Sequence, residues 1–295
     1  MPKIRPILRA ISMGFLILPM LFYIGRHFQR PELKNTKKQL FSGITYERII
    51  LKQPRPVVIH ITFIDLKVPG IKVFVTPPIN QESQGTRART TSDFLQEFKL
   101  QLAINANYFY PFHENTPWDY YPRIGDTVNT IGQAISNGKF YGKVNENWFV
   151  SCITKNTVKI IKSGNCPNGT LQGVTGTEIL VMDGKPRKTD STHNIQEKPY
   201  SRVVIATNKN GDKLWLIAVD GKQPLYSEGL TNPELTNFLI KLGVDKALNL
   251  DGGGSTTLVM ENNGQPKLLN SPIHTHIPMR ERPVANHIGF YFQKK

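Results

Sequence analysis

The chain of 295 residues has little of what marks several large protein classes. It has 22 acidic residues against 37 Lys and Arg, two cysteines, and no set of apolar runs long enough for repeated membrane crossings. Hydrophobic residues are 39% and charged residues 20%, which excludes wholesale disorder, collagen, a coiled coil and a multi-span membrane protein. The 23 glycines and 21 prolines favour many turns, so we expect a strand-rich α+β fold with a few helices.

The shortage of acidic residues leaves a formal net charge of +15. A basic protein suits an anionic partner such as nucleic acid, anionic lipid or a phosphorylated glycan, and a basic surface kept for solubility is the alternative. The sequence has no signature of DNA or RNA binding, so we expect no nucleic-acid partner. The composition does not indicate an oligomeric state.

The first 38 residues are interpreted as a targeting segment. Lys3, Arg5 and Arg9 precede the apolar run 11–25, as in an export signal, and no small-residue cleavage site follows the run. The run is short for a span, but an uncleaved anchor is feasible if flanking arginines snorkel. We expect residues 1–38 to be a signal anchor or signal peptide with a basic stalk. Residues 39–295 are then one domain outside the cytoplasm, anchored to the membrane or secreted.

The chain has one possible cysteine pair, Cys152 and Cys166. In an exported protein an even number of cysteines favours a disulfide, and reduced core thiols are the alternative. Closing a loop of about 15 residues would contribute roughly 3 kcal/mol in the chain-entropy model. Two cysteines without a CxxC spacing do not indicate a metal site.

Short apolar segments bounded by glycine and proline predict strands at 57–64, 71–76, 102–105, 148–154, 157–161, 179–182, 203–207, 214–219, 256–260 and 288–292. Thr91 begins a helix-start signal, and Asn210-Gly211 is typical of a hairpin turn. A second helix is predicted with Asn232 as its N-cap and Gly243 just past its end. Its apolar face is formed by Leu235, Phe238, Leu239 and Leu242.

The most informative stretch is a short apolar strand, 247–250, followed by Asp251, three glycines and three hydroxyl residues. Consecutive glycines lose much backbone entropy on folding, which indicates close backbone approach or positive φ. Several N–H groups bared together can form a cradle for an anion. One interpretation is an acid beside a phosphate or oxyanion cradle, and the other is a tight turn between strands. The P-loop and nucleophile-elbow patterns are absent.

This stretch resembles the hallmark of the phosphodiester glycosidase family. Other segments resemble the family in the same order: 105–109, where Asn107 replaces the usual glycine, then 201–206, 216–221, 229–231 and 282–286. The resemblance covers roughly residues 57–292. It implies hydrolysis of the bond between a sugar C1 and a phosphate oxygen in an envelope or extracellular glycan. Separately from the resemblance, we expect neither a cofactor nor a metal. The alternative is a non-catalytic glycan-binding or exopolysaccharide-assembly protein on the same scaffold.

Asp251 and Asp220 are the candidate catalytic carboxylates, because each ends an apolar strand and precedes a glycine. A turn-forming Asp is the alternative for each. Arg202 is the candidate phosphate clamp, since its guanidinium fork matches phosphate oxygens. Glu178 is either a second carboxylate or an exposed strand start. The remaining predicted substrate-binding residues are Asn105, Asn107, Gly252, Gly253, Gly254, Ser255, Thr256 and Asn286.

Three histidines and one aromatic segment complete the candidates. His274 and His276 are a weak metal signal between two prolines, so we expect a loop there and no metal. His60 lies in an apolar strand and is expected to be a hydrogen-bonded core residue. The aromatic segment 110–121 would stack on sugar rings or pack on itself.

Overall fold

The computed structural model describes residues 18–80, 82–187 and 198–292, and within these ranges strands predominate. Helices are α1 (residues 18–28), α2 (Thr91–Glu97) and α3 (Asn232–Leu242), with 3-10 turns at Gly253–Ser255 and His274–His276. The expected strand-rich fold with a few helices is confirmed. In the described ranges, no helix has both the length and the apolar character needed to span a membrane. Residues 11–17 of the apolar run 11–25 lie outside those ranges, so the export or anchor segment stays a prediction.

The strands are β1 (Thr36–Phe41), β2 (Ile44–Leu51), β3 (Val57–Asp65), β4 (Ile71–Val75), β5 (Gly85–Arg87), β6 (Leu102–Asn105), β7 (Phe109–Tyr110), β8 (His113–Glu114), β9 (Tyr120–Tyr121), β10 (Thr127–Thr130), β11 (Ala134–Ser136), β12 (Lys139–Tyr141), β13 (Phe149–Ile153), β14 (Val158–Lys162), β15 (Gln172–Gly176), β16 (Glu178–Met182), β17 (Lys185–Pro186), β18 (Arg202–Thr207), β19 (Lys213–Val219), β20 (Lys246–Leu250), β21 (Leu258–Asn262), β22 (Gln265–Leu268) and β23 (His287–Phe292). Every segment predicted as a strand is found, with ends within two residues of those expected.

The largest sheet has eight antiparallel strands in the order β1-β2-β3-β19-β18-β20-β16-β17. Two five-stranded sheets accompany it, β22-β21-β6-β23-β4 and β12-β11-β15-β13-β14, with a three-stranded sheet β5-β10-β7 and the hairpin β8-β9. Val203 pairs with Leu250 in the large sheet, so β18 begins beside the end of β20. Residues at the start of β18 and at the end of β20 are therefore neighbours in space although they are far apart in the chain.

The large sheet is buried on both faces. One core cluster includes Ile205 and Leu248 together with residues of both five-stranded sheets, such as Leu102. A second cluster includes Val204 together with Leu235 of α3. Burial on both sides explains why β3 alternates poorly in sequence, because nearly all of its side chains are buried.

The predicted N-cap of α3 is wrong by one residue. Thr231 is the N-cap, and it forms a capping box with Glu234, whereas Asn232 is the first helical residue. The Thr231 side chain accepts from the Glu234 N–H, and the Glu234 carboxylate accepts from the Thr231 N–H, so two otherwise unpaired donors are satisfied together. Gly243 ends the helix in the left-handed conformation with φ of 80°, as expected.

The cysteine pair and the expected stalk both lie within the described ranges. Cys152 and Cys166 form a disulfide with a Cα–Cα distance of 5.6 Å, which confirms the predicted pairing. The expected stalk, in contrast, overlaps an ordered strand: β1 begins at Thr36 and pairs with β2 from the register Thr36↔Arg48 onwards. The polar composition of this segment reflects its place at the edge of the large sheet, where side chains face solvent.

Candidate active site

Asp251 lines a cleft of about 260 Å³ at the end of β20. Its backbone is fixed on both sides, because its N–H donates to the Ala106 carbonyl at 2.9 Å and its carbonyl accepts from Asn105 Nδ2 at 2.7 Å. Only 9% of the residue is exposed. Burial raises the pKa of the Asp251 carboxyl to about 6, against the opposing effects of a hydrogen bond with Ser255 and the charge of Arg282. The group is therefore a carboxylate that titrates near neutral pH.

Arg282 lines the same cleft and is held in place by several groups. Its Nη1 donates to Ser255 Oγ at 3.1 Å, its Nη2 contacts the Glu114 carboxylate, and its Nε lies 3.3 Å from His274 Nδ1. The guanidinium carbon also lies 4.6 Å from the centre of the Phe112 ring. Burial would raise the pKa of Glu114, but hydrogen bonds with His274 and Arg282 lower it to about 2. Glu114 is thus an anion that orients Arg282.

A second arginine and two tyrosines border the cleft. Arg202, the first residue of β18, donates from Nε to the Leu230 carbonyl at 3.2 Å, and its guanidinium carbon lies 5.7 Å from the Tyr200 ring centre. Burial, and next the negative charge of Asp251, raise the pKa of Tyr108 to about 12. Tyr108 is therefore a neutral hydroxyl at physiological pH, available as a hydrogen-bond donor.

The glycine loop is required by close packing, as the sequence indicated. A Cβ on Gly252 would lie 2.4 Å from the Ser201 carbonyl oxygen, and a Cβ on Gly254 would lie 2.4 Å from Arg282 Nη2. Gly253 has φ of 61°, and its N–H donates to the Ser201 carbonyl at 3.0 Å. The loop thus lets the backbone pass close to the start of β18 and leaves room for the Arg282 guanidinium.

Several amides of this loop already donate to backbone carbonyls. The Gly253 N–H donates to Ser201, the N–H of Ser255 donates to the Gly252 carbonyl at 3.2 Å, and that of Thr256 donates to the Gly253 carbonyl at 3.3 Å. The Ser255 hydroxyl is fully buried against Arg282, and Thr256 Oγ1 is buried with no hydrogen-bond partner among the described residues. Positive charge in the cleft therefore comes from arginine side chains more than from a row of bared amides.

The structure does not bring Asp220 into the cleft with Asp251. Asp220 is 1% exposed, and its carboxylate accepts from His60 Nε2 at 3.0 Å, Asn270 Nδ2 at 3.0 Å and the Ser271 N–H at 3.0 Å. His60 in turn lies 2.8 Å from the Tyr46 hydroxyl through Nδ1, which confirms the expected hydrogen-bonded core histidine. The geometry gives Asp220 the surroundings of a buried structural carboxylate.

The three predicted asparagines also lie behind the cleft rather than in its lining. Asn105 joins the strand ends, donating to the Asp251 carbonyl and accepting from the Thr257 N–H at 3.0 Å. Asn107 Oδ1 accepts from Asn286 Nδ2 at 3.1 Å and from the Thr175 N–H at 3.0 Å. Buried amides of this kind fix the backbone that carries Asp251, and they match the alternative role of hydrogen-bonded strand ends.

Glu178 begins β16 opposite Asn249, next to β20 in the large sheet. Its carboxylate accepts from Asn232 Nδ2 at 2.9 Å, and Glu178 is absent from the described lining of the cleft. Asn249, in contrast, lines the cleft, and its Oδ1 is buried with no partner among the described residues. Ser201 Oγ, also in the lining, is in the same state. These two atoms are polar groups that a bound molecule could satisfy.

Sequence reasoning named Ser255 but did not single out Arg282 and Tyr108, which line the cleft with Asp251. Arg282 was present only within the family-like segment 282–286, and Tyr108 only within 105–109. The aromatic segment 110–121 supplies Phe112 to the cleft, while Trp118 remains 79% exposed. His274 and His276 lie in a 3-10 turn within the expected loop, and His274 Nδ1 lies 3.2 Å from the Glu114 carboxylate that contacts Arg282.

A family model described as phosphodiester glycosidase matches residues 98–291. A comparison with curated proteins finds no match. Among solved structures, the zebrafish N-acetylglucosamine-1-phosphodiester alpha-N-acetylglucosaminidase catalytic domain, auto-inhibited by its pro-peptide, is 21% identical with a TM-score of 0.62, covering 88% of each chain. A hypothetical protein from Synechocystis is 18% identical with a TM-score of 0.55, covering 88% of this chain and 64% of that one. A putative exported protein from Burkholderia pseudomallei is 12% identical with a TM-score of 0.55, covering 80% and 74%. At these identities the likeness to solved structures shows the fold.

Proposed function

Because the chain belongs to the phosphodiester glycosidase family, we propose that it hydrolyses the bond between C1 of a sugar and a phosphate oxygen in an envelope or extracellular glycan. The observation that carries this proposal is the composition of the cleft. Asp251 is the one carboxylate among the described residues that line it, and Arg202 and Arg282 line it as well.

One carboxylate suffices for this reaction. An ordinary glycoside needs an acid to protonate its leaving oxygen and a second carboxylate to attack C1 or to activate water. A phosphodiester releases its phosphate as a stable anion, so the protonating group is dispensable. A cleft with one carboxylate and two arginines therefore fits a sugar phosphodiester better than an ordinary glycoside.

Asp251 acts as the general base in this proposal. A pKa of about 6 lies close to neutral pH, where a base is both ionised and able to accept a proton. The carboxylate takes a proton from water, the water oxygen bonds to C1, and the C1–O bond breaks. The electron pair of that bond stays on the phosphate oxygen. Direct attack through water predicts inverted configuration at C1.

The two arginines hold the phosphate as its charge increases. Arg282 is pre-oriented by Glu114, and Arg202 is positioned by the Leu230 carbonyl, so neither side chain has to be ordered during the reaction. The aromatic rings of Tyr108, Phe112 and Tyr200 offer apolar faces for a sugar ring. Asn249 Oδ1 and Ser201 Oγ, described above, provide polar atoms for sugar hydroxyls.

Asp220 takes a different part from the one expected from sequence. We propose that it positions the end of β19 through His60, Asn270 and Ser271 and does not touch the substrate.

We also propose that residues 39–295 act outside the cytoplasm. The Cys152–Cys166 disulfide supports this location, since such bonds persist in oxidising compartments. Attachment to a membrane through the N-terminal segment belongs to the same proposal.

The test is sugar release by the full chain from α-N-acetylglucosamine-1-phosphodiesters and a panel of other glycosyl-1-phosphodiesters. Asp251→Asn removes the base, and Asp183→Asn is the matched control, because the Asp183 side chain is 78% exposed in a turn. We expect release by the wild type and Asp183→Asn and its loss in Asp251→Asn. Proton NMR of the first product gives the configuration at C1. Failure of the wild type on every phosphodiester, with glycan binding retained, would refute hydrolysis in favour of a binding protein.

A further inference from the structure

A second cavity, of about 620 Å³, lies where the segment after α1 meets the edge of the large sheet. It shares no described lining residue with the cleft of Asp251. Four basic residues line it, Arg30, Lys38, Arg48 and Lys267, and Glu32 is the one acidic residue among the described residues that do so. We call this group of four residues the basic cavity cluster.

The pairing of β1 with β2 concentrates positive charge on the cavity side. Lys38 lies opposite Tyr46, and both residues line the cavity, as does Arg48 two residues along β2. The neighbouring pair Lys37 and Glu47 alternates to the opposite face, where their side chains form an ion pair at 3.0 Å. The acid of β2 is therefore used on the other face and does not neutralise the cluster.

The basic cavity cluster is short of negative partners. Arg48 Nη1 donates to the backbone carbonyl of Glu32, and the Nε atoms of Arg30 and Arg48 are buried with no hydrogen-bond partner among the described residues. Asp220 lies near enough to act electrostatically on Arg30, but its carboxylate is already engaged by His60, Asn270 and Ser271, as described above.

Like charges held together in this way are costly until an anion joins them. Burial, and next the charges of Lys267 and Arg48, lower the pKa of Lys38, which shows that the three cations repel one another. A phosphate group carries the charge and the several acceptor oxygens that would relieve this repulsion and satisfy the arginine N–H groups. A carboxylate would offer fewer acceptors to four cations that come from four segments, the one after α1 and the strands β1, β2 and β22.

We propose that the basic cavity cluster binds the phosphate group of an anionic membrane lipid. A membrane lipid is favoured as the phosphate-bearing molecule because α1 leads directly into the cavity lining at Gln29. Its apolar side chains are exposed, with Leu18 at 68%, Met20 at 64% and Phe22 at 55%. In a phospholipid the acyl chains lie next to the phosphate group. In this protein the exposed apolar side chains of α1 lie next to the basic cavity cluster, so the two arrangements match.

The test measures lipid and phosphate binding by the full chain in non-ionic detergent. Native mass spectrometry compares phosphatidylglycerol with phosphatidylcholine, and a separate titration uses inorganic phosphate. The variant is Lys38→Gln/Lys267→Gln, since both lysines are exposed and their loss leaves the core intact. Lys159→Gln/Lys209→Gln is the matched control, with two exposed lysines that lie outside both cavities. Arg202→Gln removes an arginine from the cleft, so it distinguishes phosphate binding in this cavity from phosphate binding in the cleft.

We expect the wild type, the lysine control and Arg202→Gln to prefer phosphatidylglycerol. Lys38→Gln/Lys267→Gln should bind it about 30-fold more weakly, at about one kcal/mol for each charge lost. Its urea unfolding midpoint should match that of the wild type, which shows that it folds, independently of any enzymatic activity. Phosphate binding that depends on Lys38 and Lys267, without a lipid preference, would keep the anion site and assign it to a soluble phosphate compound. Equal binding by the wild type and Lys38→Gln/Lys267→Gln would overturn the site.

Discussion

Replacing Asp251 by Asn should lower activity and raise stability at the same time. The Asp251 carboxyl has a pKa of about 6 in the folded chain against an ordinary value of 3.8, with burial as the main cause. A difference of this size corresponds to about 3 kcal/mol of unfavourable free energy at pH 7. Asparagine has nearly the same shape and carries no charge, so the variant avoids that cost. Functional groups held in unfavourable surroundings commonly show such opposite effects.

The pH dependence follows from the sign of the shift. A carboxyl whose pKa is higher in the folded state binds its proton more readily when folded, so the folded chain holds more protons between about pH 4 and pH 6. The stability contributed by Asp251 therefore falls as pH rises through that window. The stability difference between Asp251→Asn and wild type should be close to zero near pH 4 and approach about 3 kcal/mol at pH 7.5. Other titrating groups cancel in the difference.

Urea unfolding of both proteins at pH 4 and pH 7.5 measures this difference. Activity is measured on the same samples, where kcat/KM should fall by a factor of about 10² to 10⁴ on loss of a general base. In the wild type, kcat/KM should rise with pH and level off above about pH 6. A variant that is less stable than the wild type at pH 7.5, or a stability difference that does not change with pH, would refute the reasoning.

Asp220→Asn is the contrasting variant. Asn270 and the Ser271 N–H both donate to Oδ1 of the carboxylate, so an amide oxygen can keep them, but the amide NH2 then takes the place of Oδ2 against His60 Nε2 and the second contact of the Ser271 N–H. Breaking a buried pair of this kind costs about 3 kcal/mol or more, so this variant should be less stable than the wild type at pH 7.5. The two aspartates, alike in sequence context, should thus shift the urea midpoint in opposite directions.

Two further predictions concern the glycine loop and the disulfide. Gly254→Ala puts a methyl group against the guanidinium of Arg282 and displaces it, so we expect sugar release to fall at least tenfold, with a smaller loss of stability than for a clash with backbone. Gly252→Ala meets the Ser201 backbone instead and should lower the free energy of unfolding by about 1–3 kcal/mol; equal stability of the two variants would contradict the packing argument. Cys152→Ser/Cys166→Ser should lose about 3 kcal/mol of stability in non-reducing urea unfolding, and no loss would show that the bond constrains little.

Local signals in the sequence were enough for most of the central strands and for α2 and α3, but they missed others, including the eight-residue β2. Runs such as 102–105 and 214–219 became strands because their apolar side chains have the β-propensity and length of buried strands. The helix from Asn232 was recovered with its left-handed Gly243, and the error at the N-cap arose because Thr231 and Asn232 are both good caps. Strands such as β5 and β7, of two or three residues, carry too few side chains for a periodic signal.

The sequence likewise predicted one part of the candidate site and not another. The Asp251 loop could be recognised in the sequence, because three consecutive glycines have an entropic cost that a plain turn does not require. Asp220 has the same local pattern of strand, Asp and Gly, yet it is buried under His60 and Asn270. No local pattern distinguishes the two aspartates, because the difference lies in partners 50 and 160 residues away along the chain.

Most of the central strands, the cysteine pair, the glycine loop with Asp251 and the family could be predicted from the residues alone. The positions of Arg282 and Glu114 beside that loop, and of Asp220 outside the cleft, became visible only in the folded chain. Strand composition depends on neighbouring residues, which the sequence shows directly. The pKa and role of a carboxylate depend on burial and on charges within a few ångströms, and those arise only when distant segments pack together.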